Sequence, residues 1–245
     1  LSVLPVNHFS EKLELLAEAL PTWEGSGILY CATRENTEIV AEYLRDQGQN
    51  VVSYHAGYDS ARKRELQKSF IHGSYKAIAA TNALGMGIDK PDVRFIVHVD
   101  IPSSITAYYQ EVGRAGRDGK PAKGILFFNP KDSRIQKHFI RSAQPSREDF
   151  ETVLSHITAD NKDVGLNLNA IKVRSGLHPT KVNVILAELM EQTLIEKRLK
   201  GRRQVYERTD NASVVDLSRY ERQHEVRTKE LEAMLRYGWG QEVCL

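Results

Sequence analysis

Short apolar runs alternate with amphipathic segments through the first half of the chain. Five of these runs have the length and composition of buried strands: 27–31, 51–54, 77–80, 95–98 and 124–128. Between the first and second runs, residues 35–47 predict a helix with Ile39, Val40 and Leu44 on one face. Between the second and third runs, residues 60–72 predict a second helix. Strands that alternate with helices predict an α/β fold, in which helices cover both faces of a parallel sheet.

Two polar, glycine-rich segments interrupt this pattern, at 81–92 and 110–120. Ligands of parallel sheets gather beyond the carboxyl ends of the strands. Each segment follows a strand or a short turn, so we expect both of them at that edge of the sheet.

The pattern changes near residue 147. Helical spacing of apolar residues, followed by two short strand-like runs, gives this order of elements: helices near 150–157, 171–174 and 180–189, and strands at 193–197 and 204–208. Helix, turn, helix and hairpin together predict a small winged helix-turn-helix domain over 147–212. A highly charged helix is expected from Asp216 to Tyr237.

Composition narrows the class of protein. The net charge of the 245 residues is only +2, so a nucleic-acid surface would have to come from a local patch. The two cysteines lie far apart, which argues against a disulfide framework and favours a reducing, cytoplasmic or nucleoid-associated location. No apolar run approaches the ~20 residues of a membrane span, so no membrane partner is expected. The chain does not begin with Met, and we expect it to be a piece of a longer protein.

One local patch of positive charge stands out. Residues 171–203 hold eight Lys or Arg against three acids. We predict that this patch contacts the DNA backbone, which makes binding salt-dependent. The residues expected to touch DNA there are Lys181, Lys200, Arg202 and Arg203. The alternative is a winged helix that packs against protein.

Residues 109–119 carry the clearest chemical signal. Arg114 and Arg117 lie three residues apart among glycines, behind Gln110. Guanidinium groups suit bidentate phosphate contact, and such a segment can stabilise charge on a transferring phosphoryl group. No G-x-x-x-x-G-K-[ST] phosphate loop occurs in the sequence. The chain is therefore expected to carry half of a nucleotide-hydrolysing site.

Four strings together identify a resemblance: Tyr54–Gly57, Ala80–Arg94, Asp100–Pro102 and Tyr108–Gly119. Residues 27–129 resemble the second RecA-like domain of superfamily 2 helicases, and specifically of the RecQ DNA helicases. The resemblance implies a RecA-like sheet and ATP-dependent 3′ to 5′ unwinding of duplex DNA. It also implies that ATP and Mg²⁺ lie in a cleft with a first RecA-like domain of the same protein. Single-stranded DNA and duplex junctions are the implied nucleic-acid partners.

The resemblance assigns roles to six residues around the nucleotide: Gln110, Gly113, Arg114, Arg117, Gly87 and Asp89. Arg117 would be the arginine finger and Arg114 a second phosphate-sensing arginine. Gln110 would couple the nucleotide state to domain closure. Asp89 would accept a ribose hydroxyl, with close backbone approach at the glycines. The alternative for Asp89 is a turn cap before Pro91.

Three residues are candidates for DNA contact in this half of the chain: Arg34, His55 and Thr81. Each has an ordinary alternative. Arg34 would be a surface charge in the first turn of a helix, Thr81 a helix cap, and His55 a half-buried histidine with protein partners. RecQ helicases have an arginine at the position of Lys63, and a lysine lacks the planar fork.

Domain order departs from the family. RecQ proteins usually place a zinc-binding helical hairpin directly after the second RecA-like domain, whereas here the predicted winged helix comes first. Cys244 is either the first zinc ligand or an unpaired thiol. The predicted domains are a linker from the missing first domain, the RecA-like domain, the winged helix and a helix leading to a zinc module: 1–26, 27–146, 147–212 and 213–245.

Two other functions stay open at this point. The chain could be a DNA-binding or regulatory module whose helicase-like half is only a scaffold. It could also belong to an RNA helicase, which would share the nucleotide chemistry.

Overall fold

The computed structural model describes residues 1–84, 88–157, 165–211 and 214–240. The chain forms two compact units: Leu1–Lys137 together with Arg227–Leu245, and His138–Val226. Within the described ranges, no helix has both the length and the apolar character needed to cross a bilayer.

The first unit is built on a six-stranded parallel sheet. Its strands are β1 (Ser2–Pro5), β2 (Ser26–Tyr30), β3 (Val51–Tyr54), β4 (Ala77–Ala80), β5 (Val93–His98) and β6 (Lys123–Phe128). Their order across the sheet is β1-β6-β5-β2-β4-β3, so β2 and β5 lie at its centre. All five strands predicted from the apolar runs are present, and the parallel sheet is confirmed.

Five α-helices follow the strands along the chain: α1 (Phe9–Ala19), α2 (Arg34–Asp46), α3 (Ser60–Ile71), α4 (Ile105–Val112) and α5 (Ser133–Ser142). Three of them begin at side-chain caps. Thr33 accepts from the backbone of Asn36 at α2, Asp59 caps α3, and Ser104 caps α4. Each cap satisfies donors that the first helical turn leaves unpaired.

Alternate residues of β2 enter two separate apolar clusters. Ile28 and Tyr30 join one cluster, and Leu29 and Cys31 join the other. This period of two is the sign of a strand buried on both faces, so it confirms that both faces of the sheet are covered.

Residues 1–26 are not the linker that the sequence predicts. β1 pairs with β6 along its whole length, and α1 buries Leu13 and Leu16 in the core. The local signal is weak because β1 has only four residues and ends in Pro5. Its partner strand lies more than a hundred residues further along the chain, so the pairing is not visible in a local pattern.

The last helix, α9 (Ser218–Gly238), contributes its second half to the first unit. The ring of Tyr237 lies 5.4 Å from that of Tyr108, and Trp239 meets Phe128 edge-on at 5.6 Å. The boundary predicted at residue 213 is therefore displaced: the described residues from 227 onward pack with the sheet domain.

Among the described residues, the second unit contains three whole helices and a hairpin, besides the end of α5 and the first half of α9. The whole elements are α6 (Arg147–His156), α7 (Leu168–Ser175), α8 (Pro179–Glu191), β7 (Ile195–Lys200) and β8 (Arg203–Arg208). Its core joins Phe150 of α6, Ile171 of α7 and Ile185 of α8. The antiparallel hairpin turns through two residues, and Gly201 takes a positive φ of 61° there. This arrangement agrees with the predicted winged helix-turn-helix.

Candidate nucleotide and nucleic-acid site

The arginine segment runs along the sheet from the end of β5 back to its beginning. Gly116, with φ +66°, donates its backbone N–H to Val93 O at 2.9 Å, and Asp118 donates to Pro91 O at 3.2 Å. A helix between parallel strands returns the chain to the amino-terminal edge of the sheet. Residues 116–119 follow such a helix and bond to the chain at and just before the start of β5, so the expectation that the whole segment lies beyond the carboxyl ends is wrong.

Asp89 and Arg117 are brought together by this path, because each lies shortly before one of two neighbouring strands. Asp89 Oδ1 lies 3.1 Å from an Arg117 terminal nitrogen. The side chains are 88% and 42% exposed, so the ion pair is worth at most about 1 kcal/mol and opens readily. Two residues that the sequence assigns to one nucleotide are thus neighbours and accessible.

Arg114 is less exposed than Arg117. Its Nε is buried and has no hydrogen-bond partner among the described residues. Burial raises the pKa of Tyr30, the charge of Glu111 raises it further, and Arg114 and Arg117 lower it. Both arginines therefore act electrostatically on the end of β2.

Of the three remaining candidates for nucleotide contact, the structure describes two. Gln110 is exposed in the last turn of α4, and Gly113 is exposed directly after it. A Cβ added at Gly113 would lie 3.1 Å from Tyr109 O, which leaves little room for a side chain. Gly87 lies outside the described residues.

His55 does not present its ring to a ligand. It is 4% exposed, and its Nε2 lies 2.9 Å from Glu38 Oε1. Its Nδ1 accepts from Gly57 N at 3.1 Å, so Nε2 carries the proton and donates to the carboxylate. The ring also stacks on Tyr58 at 4.0 Å. Both ring nitrogens have partners within the protein, so the structure gives no support to the predicted DNA contact by this side chain, and that contact stays a prediction.

Arg34 lies beside this loop, as the first residue of α2. A Cβ added at Gly57 would come within 3.3 Å of an Arg34 terminal nitrogen and 2.9 Å of His55 Nδ1. Thr81 follows β4, donates its N–H to Tyr54 O at 3.2 Å and is 8% exposed. Arg34 and Thr81 thus both follow the carboxyl ends of strands, where the sequence places them.

A buried ionic cluster fixes the start of α2 and was missed by the sequence analysis. Lys12 Nζ lies 2.5 Å from Asp132 and 3.5 Å from Asp100. Asp100 Oδ2 accepts from Ala32 N and Asn36 Nδ2, each at 2.8 Å. Burial raises the pKa of Asp132, and the Lys12 ammonium opposes that rise. The only signal was Asp100 within its Asp-Ile-Pro string, since Lys12 lay in the supposed linker.

The hairpin of the second unit carries the predicted basic patch. Arg202 and Arg203 are exposed at its turn, and Lys200 pairs with Glu207, which is 7% exposed. Of the four DNA contacts predicted in the basic patch, three thus lie at the same end of the hairpin.

Lys181 is the exception. Its Nζ lies 2.8 Å from Asp149 Oδ2, and the side chains are 29% and 13% exposed. Burial acts to raise the pKa of Asp149, but the hydrogen bonds from Lys181 and Ser146 outweigh it and lower the pKa. Lys181 therefore joins α8 to α6, and the structure does not support its predicted contact with DNA.

Among the residues that the structure describes, no group of three or more His, Cys, Asp or Glu side chains is placed to hold a metal ion. Cys31 is buried as a free thiol in the sheet domain, and burial raises its pKa. Cys244, the predicted zinc ligand, lies outside the described residues.

Comparison with known proteins agrees with this geometry. Residues 11–119 match the family described as the helicase conserved C-terminal domain. An ATP-dependent DNA helicase RecQ from Pasteurella multocida is 48% identical over 107 residues, which cover 44% of this chain and 17% of that protein. A probable ATP-dependent DNA helicase RecS from Bacillus subtilis is 31% identical over 183 residues, or 74% of this chain and 37% of that protein.

Residues 11–119 are thus similar to a helicase C-terminal domain, and the relatives that match are named as ATP-dependent DNA helicases RecQ and RecS. Among solved structures, the Escherichia coli DEAD-box protein SrmB matches with a TM-score of 0.51 and 25% identity, over 55% of this chain and 79% of that chain. The chain spans only 17% and 37% of the lengths of the two helicases compared above. Their activities therefore come to it as proposals.

Proposed function

We propose that this chain supplies the second motor domain and a winged helix to an ATP-dependent DNA helicase that translocates 3′ to 5′. The observation that carries the proposal is the convergence of Asp89 and Arg117 at 3.1 Å, both exposed, with half-buried Arg114 three residues from Arg117. Two separate segments thereby present a carboxylate and guanidinium groups on one accessible surface. The names of the RecQ-type relatives support DNA over RNA.

Arg117 has the properties of an arginine finger. It is exposed, and the N–H of its Nε donates to Gly113 O at 3.4 Å, which anchors the side chain to the backbone. In the proposed reaction Arg117 and Arg114 stabilise negative charge on the phosphoryl group of ATP, while ATP and Mg²⁺ are held mainly by a first RecA-like domain. The Asp89–Arg117 pair must open when nucleotide binds, because one guanidinium cannot serve both the phosphate and this carboxylate in the same geometry.

DNA contact is proposed at two places. Arg34 and Thr81 would hold the backbone of a single strand at the carboxyl ends of the strands of the sheet. Arg202, Arg203 and Lys200 on the hairpin would neutralise phosphates of the duplex, without reading sequence. The scaffold alternative is disfavoured because a scaffold gives no reason for an exposed arginine beside Asp89.

A zinc site that includes Cys244 is a separate proposal, and it rests on the resemblance alone. Metal analysis of the full-length protein before and after Cys244→Ser tests it, and equal zinc content in the two would reject it. The proposed location is the cytoplasm or the nucleoid, where DNA and reduced thiols coexist.

Assays on the natural full-length protein distinguish the three candidate functions: a DNA helicase, an RNA helicase and a DNA-binding module with a helicase-like scaffold. ATP hydrolysis is measured alone, with single-stranded DNA and with single-stranded RNA, and unwinding is measured on duplexes with a 3′ or a 5′ tail. We expect DNA-stimulated hydrolysis and unwinding of the 3′-tailed duplex. Stimulation by RNA alone would assign an RNA helicase. DNA binding without ATP hydrolysis would indicate a DNA-binding module whose helicase-like half is only a scaffold.

A further inference from the structure

Glu111 and His98 form a buried pair that joins helix α4 to the end of β5. Glu111 Oε2 lies 2.7 Å from His98 Nε2, and the side chains are 16% and 1% exposed. The sequence analysis assigned no role to either residue around the nucleotide. Burying two polar side chains costs free energy unless their hydrogen bonds are made, so the pair calls for a reason.

The ring of His98 is fixed in place and in tautomer. It stacks on Tyr30 at 5.2 Å and meets Tyr108 at 4.9 Å. Its Nδ1 is buried and has no hydrogen-bond partner within the described part of the chain. A proton on Nδ1 would leave a buried N–H without an acceptor, so the proton lies on Nε2 and is donated to Glu111. His98 is thus the donor to the Glu111 carboxylate, whose negative charge raises the pKa of Tyr30.

This negative charge lies next to Arg114. The backbone N–H of Arg114 donates to Glu111 O at 3.2 Å, and the guanidinium has its own buried Nε. Tyr30 responds to both charges, because Glu111 raises its pKa and Arg114 lowers it. Carboxylate and guanidinium therefore share a half-buried region, where charges interact more strongly than at the surface.

We infer that Glu111 is a positioning residue for Arg114, and that His98 holds Glu111 in place. The inference rests on the proposed function and deepens it. Glu111 does not reach the nucleotide: its carboxylate points inward to His98 and fixes the field in which Arg114 lies. An arginine oriented beforehand needs little reorganisation when charge develops on the phosphoryl group.

Replacing Glu111 by Gln in the full-length protein keeps the shape of the side chain and removes its charge. We expect kcat for ATP hydrolysis to fall about 10-fold, with KM for ATP changed less than about 3-fold, because the loss concerns the transition state. Glu42→Gln is the matched control: Glu42 is exposed on α2, and hydrolysis by this variant should equal that of the unaltered protein.

A double-mutant cycle distinguishes positioning from a general loss of stability. If Glu111 acts through Arg114, the variant with both Glu111→Gln and Arg114→Ala hydrolyses ATP no more slowly than Arg114→Ala alone. Normal kcat in Glu111→Gln, or losses that simply multiply, would overturn the inference. Normal hydrolysis by Arg114→Ala would instead reject the proposed function.

A second pair of variants keeps the test open should Glu111→Gln fold poorly. His98→Ala removes the donor to Glu111 and should lower kcat about as far as Glu111→Gln, whereas His98→Gln retains an amide N–H that can donate and should recover most of that loss. Normal kcat in His98→Ala would reject the role given to His98. A loss in His98→Gln as large as that of Arg114→Ala, in a variant that unfolds at the normal temperature, would reject it as well.

Discussion

The positive charges of the two units are held in opposite ways. In the first unit, Arg114 is half-buried near Glu111, and the backbone N–H of Gly116 donates to Val93 O and fixes the segment to β5. In the second unit, Arg202 and Arg203 are exposed at a two-residue turn. A charge held in one position can serve a single chemical step, whereas exposed charges act through their sum. One substitution should therefore abolish the first function, and several are needed to weaken the second.

Arg117→Ala in the full-length protein is expected to have the largest effect. Loss of an arginine finger should lower kcat for ATP hydrolysis by ~10³-fold or more, with a much smaller change in nucleotide affinity. Turnover is measured with DNA present, and affinity with a non-hydrolysable analogue. Arg134→Ala is the control, because Arg134 is exposed on α5. Near-normal turnover in Arg117→Ala would remove this residue from the active site.

Lys12→Met should have the largest effect on stability. Lys12 is 1% exposed, and removing its charge leaves Asp100 and Asp132 without their cation. The free energy of unfolding should fall by about 3 kcal/mol, as expected for breaking one side of a buried ion pair. Urea unfolding of the present chain measures it.

The exposed pair of Arg62 and Glu65 supplies the comparison for that measurement. Its side chains are 48% and 65% exposed. Arg62→Met should therefore change the free energy of unfolding by no more than about 0.5 kcal/mol. Equal effects at Lys12 and Arg62 would contradict the structural role of the buried cluster.

Neutralising the hairpin tests the summed charges. Changing Lys200, Arg202 and Arg203 to Gln should flatten the dependence of log K on log[salt] by about 2.7, since each of the three phosphate contacts on duplex DNA contributes about 0.9. The matched control removes three exposed cations of α9: Arg219, Arg222 and Arg227. An unchanged slope in the hairpin variant would show that the hairpin does not touch DNA.

Lys181→Gln should have the smallest effect on DNA binding, less than about 2-fold, because Lys181 is engaged by Asp149. Its effect lies in stability. The folded pKa of Asp149 is lowered from 3.8, so its stabilising contribution is present above that pH and is lost as the pH falls through the folded value. Acid unfolding should therefore begin at a higher pH in the variant. A several-fold loss of DNA affinity would instead show that Lys181 contacts DNA.

The sequence predicted what depends on local pattern. The buried strand at 27–31 and the helix at 35–47 are visible within a few residues, and so is the hairpin built from 193–197 and 204–208. The arginine segment could be recognised but not placed correctly, because a motif shows which residues occur together and not which edge of the sheet they reach.

Contacts between distant segments were beyond the sequence. Lys12 meets Asp132 across 120 positions, and His98 meets Glu111 across a loop and a helix. His55 illustrates the same limit, since only the structure shows that both ring nitrogens are occupied. Polar partners carry no periodic signature, so a single sequence cannot pair them.

Pro5 gives the outer edge of the sheet a further property. Val6 donates its N–H to Phe128 of β6, so the neighbouring position on this strand faces away from the sheet. Proline fills that outward position and has no N–H to offer. The free border of the sheet thus lacks a donor at this point, which hinders another polypeptide from adding itself there and protects the molecule from self-association.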